Sequence, residues 1–297
     1  MGAPADVVLA SCAALPAGDG DDDELLDALR AAGYHARWAP WDETSTLDAD
    51  LVVLRATWDY PERLSEFLAW VQQVPRLANP AAAVCWNADK HYLLDLAADG
   101  VPVVPTAAFA PGQTVRVPDG EVVVKPAVGA GSQGAARFTD RAAALAHAAV
   151  LHAAGTAVLV QPFDPSVDTV GETAMVFVAG RPSHAFHKSA MLPPPGSSPV
   201  VDGSGRYLTE RLRPVEPSVR NWRLAHQVVT AATSRLGLVP AELLYARVDV
   251  LGSAEPRLLE LELVEPSLGW RQVGRAQRVA ALASFVGAVG TLLAGTG

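Results

Sequence analysis

The stretch EPRLLELELVEPSLGW, Glu255 to Trp270, alternates Leu259, Leu261 and Leu263 with Glu260 and Glu262, and Glu265 directly precedes Pro266. A period of two marks a β-strand, with leucines on one face and glutamates on the other. A strand this apolar belongs inside a sheet, where carboxylates are rare unless a positive group meets them. The preceding run, YARVDVLG, alternates Arg247 with Asp249 in the same way. An antiparallel hairpin of the two runs brings Asp249, Glu260 and Glu262 to one face, with Arg247 beside them. Clustered carboxylates on rigid strands suit hard divalent cations, which take oxygen ligands and bridge phosphates. The alternative is plain ion pairing of these acids with Arg247 and Lys188 across a sheet face. Magnesium with nucleotide phosphates is the better account of so much charge in a row.

A second group points the same way. Lys125 closes the apolar run EVVVKP and is followed by Gly129, Gly131 and Gly134. Backbone without side chains can close on phosphate oxygens, while a fixed ammonium neutralises their charge. The Gly-Lys-Ser/Thr ending of a Walker loop is missing. The glycines also lead into a strand, not into the helix of a dinucleotide fingerprint. Taken alone, the turn fits an ordinary hairpin equally well.

The elements that must position these groups follow from the pattern. ADVVLASC is a strand, DELLDALRAAG a helix stopped by Gly33, DLVVLRATWDY a buried strand, and PERLSEFLAWVQQV a helix starting at Pro61. Strand–helix alternation implies a parallel, helix-covered sheet, with ligands gathering at the carboxyl ends of the strands near Arg55, Trp58, Asp59 and Tyr60. NADKHYLLDLAADG reads as a helix capped by Asn87. EVVVKP and GAARF flank the glycine turn, RAAALAHAAVLHAAG is a helix, AVLVQPF a strand, and GETAMVFVAGRPSHAFHKSA a hairpin. A Pro-, Gly- and Ser-rich loop, including Pro193 to Gly205, precedes a last long helix and the acidic hairpin. The acidic run Asp19 to Glu24 lacks the glycine and distal glutamate of a calcium loop and reads as the solvated start of a helix.

Bulk composition removes several function classes. The chain has 297 residues, half of them hydrophobic, enough for one compound domain or two to three packed ones. A net charge of −9 without a basic run disfavours a nucleic-acid partner. Cys12 and Cys85 stand far apart without ligand spacing, so a zinc site is not expected and a reducing cytoplasm is. No signal peptide is legible. From Val279 onward no charge occurs, but Leu282, Phe285, Val286, Val289, Leu292 and Leu293 share one helical face. The opposite face is small (Ala281, Ser284, Gly287, Ala288, Thr291), which predicts a helix packed on a sheet, with a homodimer contact on the small side, and no membrane anchor.

With these motifs in this order, the chain resembles the ATP-grasp enzymes over most of its length. NADKHYLLDL resembles the segment carrying their first phosphate-contacting lysine, here Lys90. VVVKP with its glycines is similar to the second lysine, Lys125, and the loop that covers ATP, including Gly131. VLVQPF resembles the hinge strand that meets adenine through backbone groups, Gln161 to Phe163, and GETAMVFVAG places Glu172 at the ribose. The resemblance further implies Lys188 and Arg247 at the transferred phosphate, and Asp249, Glu260 and Glu262 as ligands of two Mg2+ ions. The usual last metal motif is Glu-x-Asn, whereas this chain has Glu260-Leu261-Glu262, which leaves the ligand set open among Glu260, Glu262 and Glu265.

VVLRATWDYP, WNADKHYLL, GVPVVPT, SHAFHK and YARVDV…ELELVEPSL resemble, more narrowly, the cycloserine-synthetase branch, whose reaction closes O-ureido-D-serine to D-cycloserine. The implied fold is α/β (α+β), in three parts at residues 1–80 (N-terminal αβ), 81–165 (central, with the glycine-rich lid) and 166–297 (C-terminal, with the metal hairpin). The implied chemistry is ATP-dependent activation of a small carboxylate as an acyl phosphate, then attack by an amine. Arg55 is the candidate carboxylate clamp, since its fork suits two oxygens; pairing with Asp59 or Glu62 is the competing expectation. Trp58 and Tyr60 either line the pocket or pack, and His184 and His187 read as structural. Intermolecular ligation, non-catalytic ATP binding and phosphotransfer to a hydroxyl are the rival functions.

Overall fold

The computed structural model describes residues 3–197, 211–252 and 254–295. Its first sheet is parallel, in the order β2-β1-β3-β4, from β1 (Asp6–Ser11), β2 (His35–Pro40), β3 (Leu51–Ala56) and β4 (Leu77–Ala78). β1 and β3 are apolar on both faces because both are covered. Val7, Leu9, Leu51 and Val53 meet α1 (Asp23–Ala31) and α8 (Arg275–Ala294). Val8, Ala10, Val52 and Leu54 meet the Phe67 and Trp70 side of α2 (Leu64–Val71) and Val84 of α3 (Ala81–Asn87).

A short helix, α4 (Tyr92–Ala98), leads to an antiparallel sheet in the order β5-β8-β6-β7. It comprises β5 (Ala107–Phe109), β6 (Val122–Pro126), β7 (Ala136–Phe138) and β8 (Val158–Pro162). Val122, Val124, Val158 and Val160 point to α5 (Arg141–Ala153). Strand alternation therefore turns Val123, Lys125 and Gln161 to the other face, where they line a cavity.

The third sheet, β11-β10-β9-β12-β13, is also antiparallel. After a one-turn helix, α6 (Ser166–Thr169), come β9 (Glu172–Val178), β10 (Arg181–Lys188) and β11 (Leu212–Pro214). α7 (Val219–Leu236), ended by Gly237 at φ 68°, then precedes β12 (Tyr245–Leu251) and β13 (Arg257–Glu262). Met175, Phe177, Val248 and Val250 pack under α7. The opposite face is split by chemistry. One end (Val176, Val178, Phe186, Tyr245) is apolar and covered by Phe285 and Val289 of α8. The other end carries charge into the cavity.

α8 is long and apolar enough to cross a bilayer by composition, and it lies on the sheets through Ala281, Leu282, Phe285 and Val289. Ala281, expected on the small outer face, is buried in that core, while Ser284, Gly287 and Thr291 are exposed. The Pro-rich loop from residue 198 to 205 lies outside the described residues.

Candidate active site

The hairpin pairs in the expected register, Arg247 opposite Glu262 and Asp249 opposite Glu260. All four side chains thus share one face of the sheet. Glu172, at the start of β9, and Lys188, at the end of β10, are register partners on the same face. Across from them stands the second sheet with Lys125. A cavity of about 460 Å³ lies between the two sheets, lined by Lys90, Lys125, Gly129, Gly131, Gln161, Phe163, Glu172, Lys188, Arg247, Glu260, Glu262 and Glu265, among others. Trp58 and Tyr60 line its N-terminal side, together with Asp19 and Ser267.

Lys90 reaches this space from the turn between α3 and α4. Its backbone N–H donates to the Ala127 carbonyl at 2.8 Å, tying the turn to the end of β6. Its ammonium lies 2.6 Å from a Glu260 oxygen and donates to the Gly129 carbonyl at 3.0 Å. Burial works against charge on Glu260, but Lys90 and Lys125 outweigh it and hold the carboxyl at about 2. Lys125 is buried with no ion pair among the described residues, and burial lowers its ammonium. Burial pushes Glu262 up to about 7, a rise that Arg247 opposes and Glu260 and Asp249 reinforce. Glu265 goes up to about 8, from burial and then from the charge of Glu262.

Arg247 donates through Nε and Nη2 to the two oxygens of Asp249, each at 2.9 Å, contacts Glu262, and donates to the Ser267 carbonyl at 3.0 Å. Lys188 lies 2.9 Å from Asp249 and 3.6 Å from Glu172. Asp249 is fully buried, both its oxygens accept from Arg247 and Lys188, and it does not line the cavity. The expected metal ligand is thus engaged here by its neighbour two residues back on the same strand face. Among the described residues no three His, Cys, Asp or Glu side chains converge at metal-ligand spacing. The acids that face the cavity between the two sheets include Glu172, Glu260, Glu262 and Glu265, with Asp19 and Asp164 also in its lining.

Arg55 is corrected more fully. Its side chain is buried, donates through Nε to Asp22 at 2.8 Å and through Nη2 to the Pro266 carbonyl at 2.7 Å, and does not line the cavity. The partner is neither substrate nor Asp59 or Glu62, because Asp22 is not the solvated residue its acidic run suggested. Asp22 is 1% exposed and also accepts from Trp270 Nε1 at 2.8 Å, while Asp21 accepts from the Gly269 N–H at 2.8 Å. The acidic loop holds the segment Pro266 to Trp270, and that segment's Ser267 carbonyl holds Arg247.

Asn87 does not cap a helix. It ends α3, and its side chain donates to the Leu261 carbonyl at 2.9 Å and accepts from the Leu263 N–H at 2.6 Å, fixing the glutamate strand. Phe163 lines the cavity, but its N–H already donates to the Glu121 carbonyl at 2.8 Å, so its ring and not that N–H is what it offers a base. The Gln161 amide donates to Thr106 Oγ1 at 2.9 Å. His184 and His187 contact the Leu268 and Val170 carbonyls, each at 2.6 Å, as structural histidines.

The fold of this chain recurs in solved ligases. The structure of D-alanine–D-alanine ligase from Bacillus anthracis complexed with ATP superposes with a TM-score of 0.61, covering 97% of this chain and 96% of that one, at 12% identity, a likeness of fold. The fold and its ligase neighbours define an ATP-grasp ligase, an ATP-dependent enzyme that forms C–N bonds. Residues 7–79 match the family model of the N-terminal domain of D-cycloserine synthetase DcsG. The cycloserine biosynthesis protein DcsG of Streptomyces lavendulae is 39% identical over 271 residues, 84% of this chain and 88% of that protein. The crystal structure of D-cycloserine synthetase DcsG superposes with a TM-score of 0.83 at 34% identity, covering 97% of this chain and 99% of that one. The chain belongs to the DcsG family.

Proposed function

We propose that this ligase activates a small amino-acid-like carboxylate as an acyl phosphate, and that an amine of the same molecule then closes the ring, as in D-cycloserine formation. The observation that carries the reading is the convergence of Lys90, Lys125, Lys188 and Arg247 with Glu260 and Glu262 on one cavity between two sheets. Membership of the DcsG family supports the cyclising form of the reaction.

In the proposed arrangement Lys90 and Lys125 hold the ATP phosphates, Glu172 faces the ribose, and the wall of Gln161 and Phe163 receives the base. The loop of Gly129, Gly131 and Gly134 covers them. A carboxylate oxygen of the substrate attacks the γ-phosphorus, and ADP leaves with the bonding pair. Arg247 and Lys188 stabilise charge on the transferring group, since phosphoryl transfer rests on positioning and neutralisation. The amine nitrogen then attacks the acyl carbon, loses its proton, and inorganic phosphate departs. Excluding water protects the acyl phosphate from hydrolysis.

Glu260 and Glu262, with Glu265 next to them, are the residues that would hold Mg2+. Magnesium is commonly held by one or two carboxylates together with substrate phosphate oxygens, so a donor set without a three-carboxylate cage fits it. The raised Glu262 and Glu265 are acids whose negative charge nearby cations do not fully offset. Bound there, the ion would supply charge neutralisation on the phosphates. Asp249 takes a different part in this reading: it fixes Arg247 and Lys188. We further propose functional parts at residues 1–80, 81–165 and 166–297, each built around one of the three sheets.

A hydroxylamine trap tests the reading. Protein, Mg-ATP and O-ureido-D-serine are incubated with and without hydroxylamine, and ADP and products are read by mass. The expected result is a hydroxamate with the trap, and without it a cyclised product lighter than substrate by the elements of water and, as D-cycloserine, also by the carbamoyl group that the ring nitrogen sheds to water. ADP release without hydroxamate or ring product overturns carboxylate activation, and a product joined from two substrate molecules overturns cyclisation.

A further inference from the structure

Arg137 lies outside the cavity lining, yet its contacts run to three separate parts of the cavity wall. It stands on β7 at 7% exposure, a depth at which arginine occurs only when its donors are met. Nε donates to Glu121 at 2.9 Å, and Nη2 lies 2.8 Å from the same carboxylate. Nη1 and Nη2 donate to the two oxygens of Asp168 at 2.8 and 3.0 Å, a bidentate fork. Nη1 also reaches the Leu192 carbonyl at 3.5 Å. The guanidinium carbon sits 3.5 Å from the centroid of the Phe163 ring.

These contacts reach the cavity wall directly or through a neighbouring residue. Phe163 lines it and is fixed from below by the guanidinium and at its N–H by the Glu121 carbonyl. Asp168 belongs to α6, whose Val167 lines it, and Leu192 lines it directly. The end of β8 belongs to the second sheet, whereas α6 and the Leu192 segment flank the third. One side chain therefore fastens the aromatic wall to the two segments that face it across the sheets. A lysine in its place would supply charge without the planar fork or the stack.

We propose that Arg137 is a positioning residue for the nucleobase end of the nucleotide: it holds the Phe163 ring and the α6 and Leu192 segments at the spacing a planar purine requires. The proposal rests on the reading of this cavity as the ATP site. Base–aromatic stacking depends on a ring held at a fixed height, so loosening the ring weakens nucleotide binding and leaves the phosphate chemistry at Lys90, Lys125 and Arg247 untouched.

The test uses full-length wild type, Arg137→Met, Arg137→Lys and Asp168→Asn. ADP affinity is measured by calorimetry, steady-state kinetics give KM for ATP and kcat, and thermal melts report folding. Arg137→Met is expected to weaken ADP and raise KM for ATP about tenfold, the scale of one desolvated cation–π contact, with kcat little changed. Arg137→Lys is expected to recover melting temperature more than ADP affinity. Asp168→Asn, at an exposed position, keeps the fold testable should Arg137→Met unfold, and is expected to show a smaller shift in the same direction. Wild type that binds no ADP overturns the ATP reading itself. Wild type that binds while folded variants bind equally well overturns the role of Arg137, as does a loss of kcat that tracks melting temperature with KM unchanged.

Discussion

Lys90 Nζ lies 2.6 Å from Glu260, and the same ammonium donates to the carbonyl of Gly129 in the glycine turn. One cation thus joins the α3–α4 turn, the acidic strand and the loop over the cavity. Lys90→Met removes a preorganised positive group from the phosphate end. The expected outcome is a fall of about 100-fold in ATP turnover with the circular-dichroism spectrum unchanged. ADP release at saturating carboxylate measures it, and turnover near the wild-type rate would remove Lys90 from the site.

Glu260 is an acid that its surroundings keep ionised, through Lys90 and Lys125. Glu260→Gln keeps the shape and loses the charge. Turnover is expected to vanish at any magnesium concentration, with the melting temperature within a few degrees of wild type, since one hydrogen bond to Lys90 can persist. A variant that recovers full rate as magnesium is raised would move the essential ligand to Glu262 or Glu265.

Arg55 and Asp22 form a buried pair that also supports Trp270 and the Pro266 carbonyl. Arg55→Met leaves Asp22 charged and buried, and breaking such a pair from one side costs about 3–5 kcal/mol. Urea unfolding is expected to show that loss as a lower midpoint at constant slope. KM for the carboxylate substrate, measured well below the new midpoint, is expected to stay within about threefold of wild type, as befits a residue that acts on the scaffold. A large rise in that KM with unchanged stability would restore Arg55 as a substrate clamp.

The hairpin that carries Arg247, Asp249, Glu260 and Glu262 was legible because strict alternation sets both the strand and the face, and antiparallel pairing follows from a short turn. Lys125 and its glycines were legible for the same local reason. β2 was not: HARWAP ends in proline, carries His35 and Arg37, and buries only Ala36 and Ala39 deeply, as befits an edge strand. Partners distant in sequence were equally hidden. Asn87 sits in a pattern that suits a helix cap, but its amide is spent on a strand 174 residues away. Asp22 looked solvated because local charge is all a sequence window shows, whereas its partners Arg55 and Trp270 arrive from two other parts of the fold. Arg137 gave no signal, since one arginine in GAARF has no periodicity to break. The face that Asp249 occupies is legible, because register is written in the strand, whereas its pairing with Arg247 and Lys188 is not, because side-chain reach decides it.

Asp21 offers a pH dependence outside the cavity. Its oxygen accepts from the Gly269 N–H at 2.8 Å and from Ser267 Oγ at 3.2 Å, and burial, followed by the charges of Asp22 and Asp19, pushes its carboxyl up to about 6. Between the ordinary value of 3.8 and about 6 the folded chain holds a proton that the unfolded chain has released. Its contribution to stability is therefore complete below the ordinary value and is lost as pH rises through about 6. The loss is on the order of 2 kcal/mol for a group that keeps some solvent contact. Asp21→Asn keeps an acceptor for both donors and carries no charge. The variant is expected to melt above wild type at pH 7.5 and to match it at pH 4, with the wild-type slope between those values flattened. Identical melting profiles for the two proteins across that range would place the Asp21 carboxylate in an environment no harsher than water.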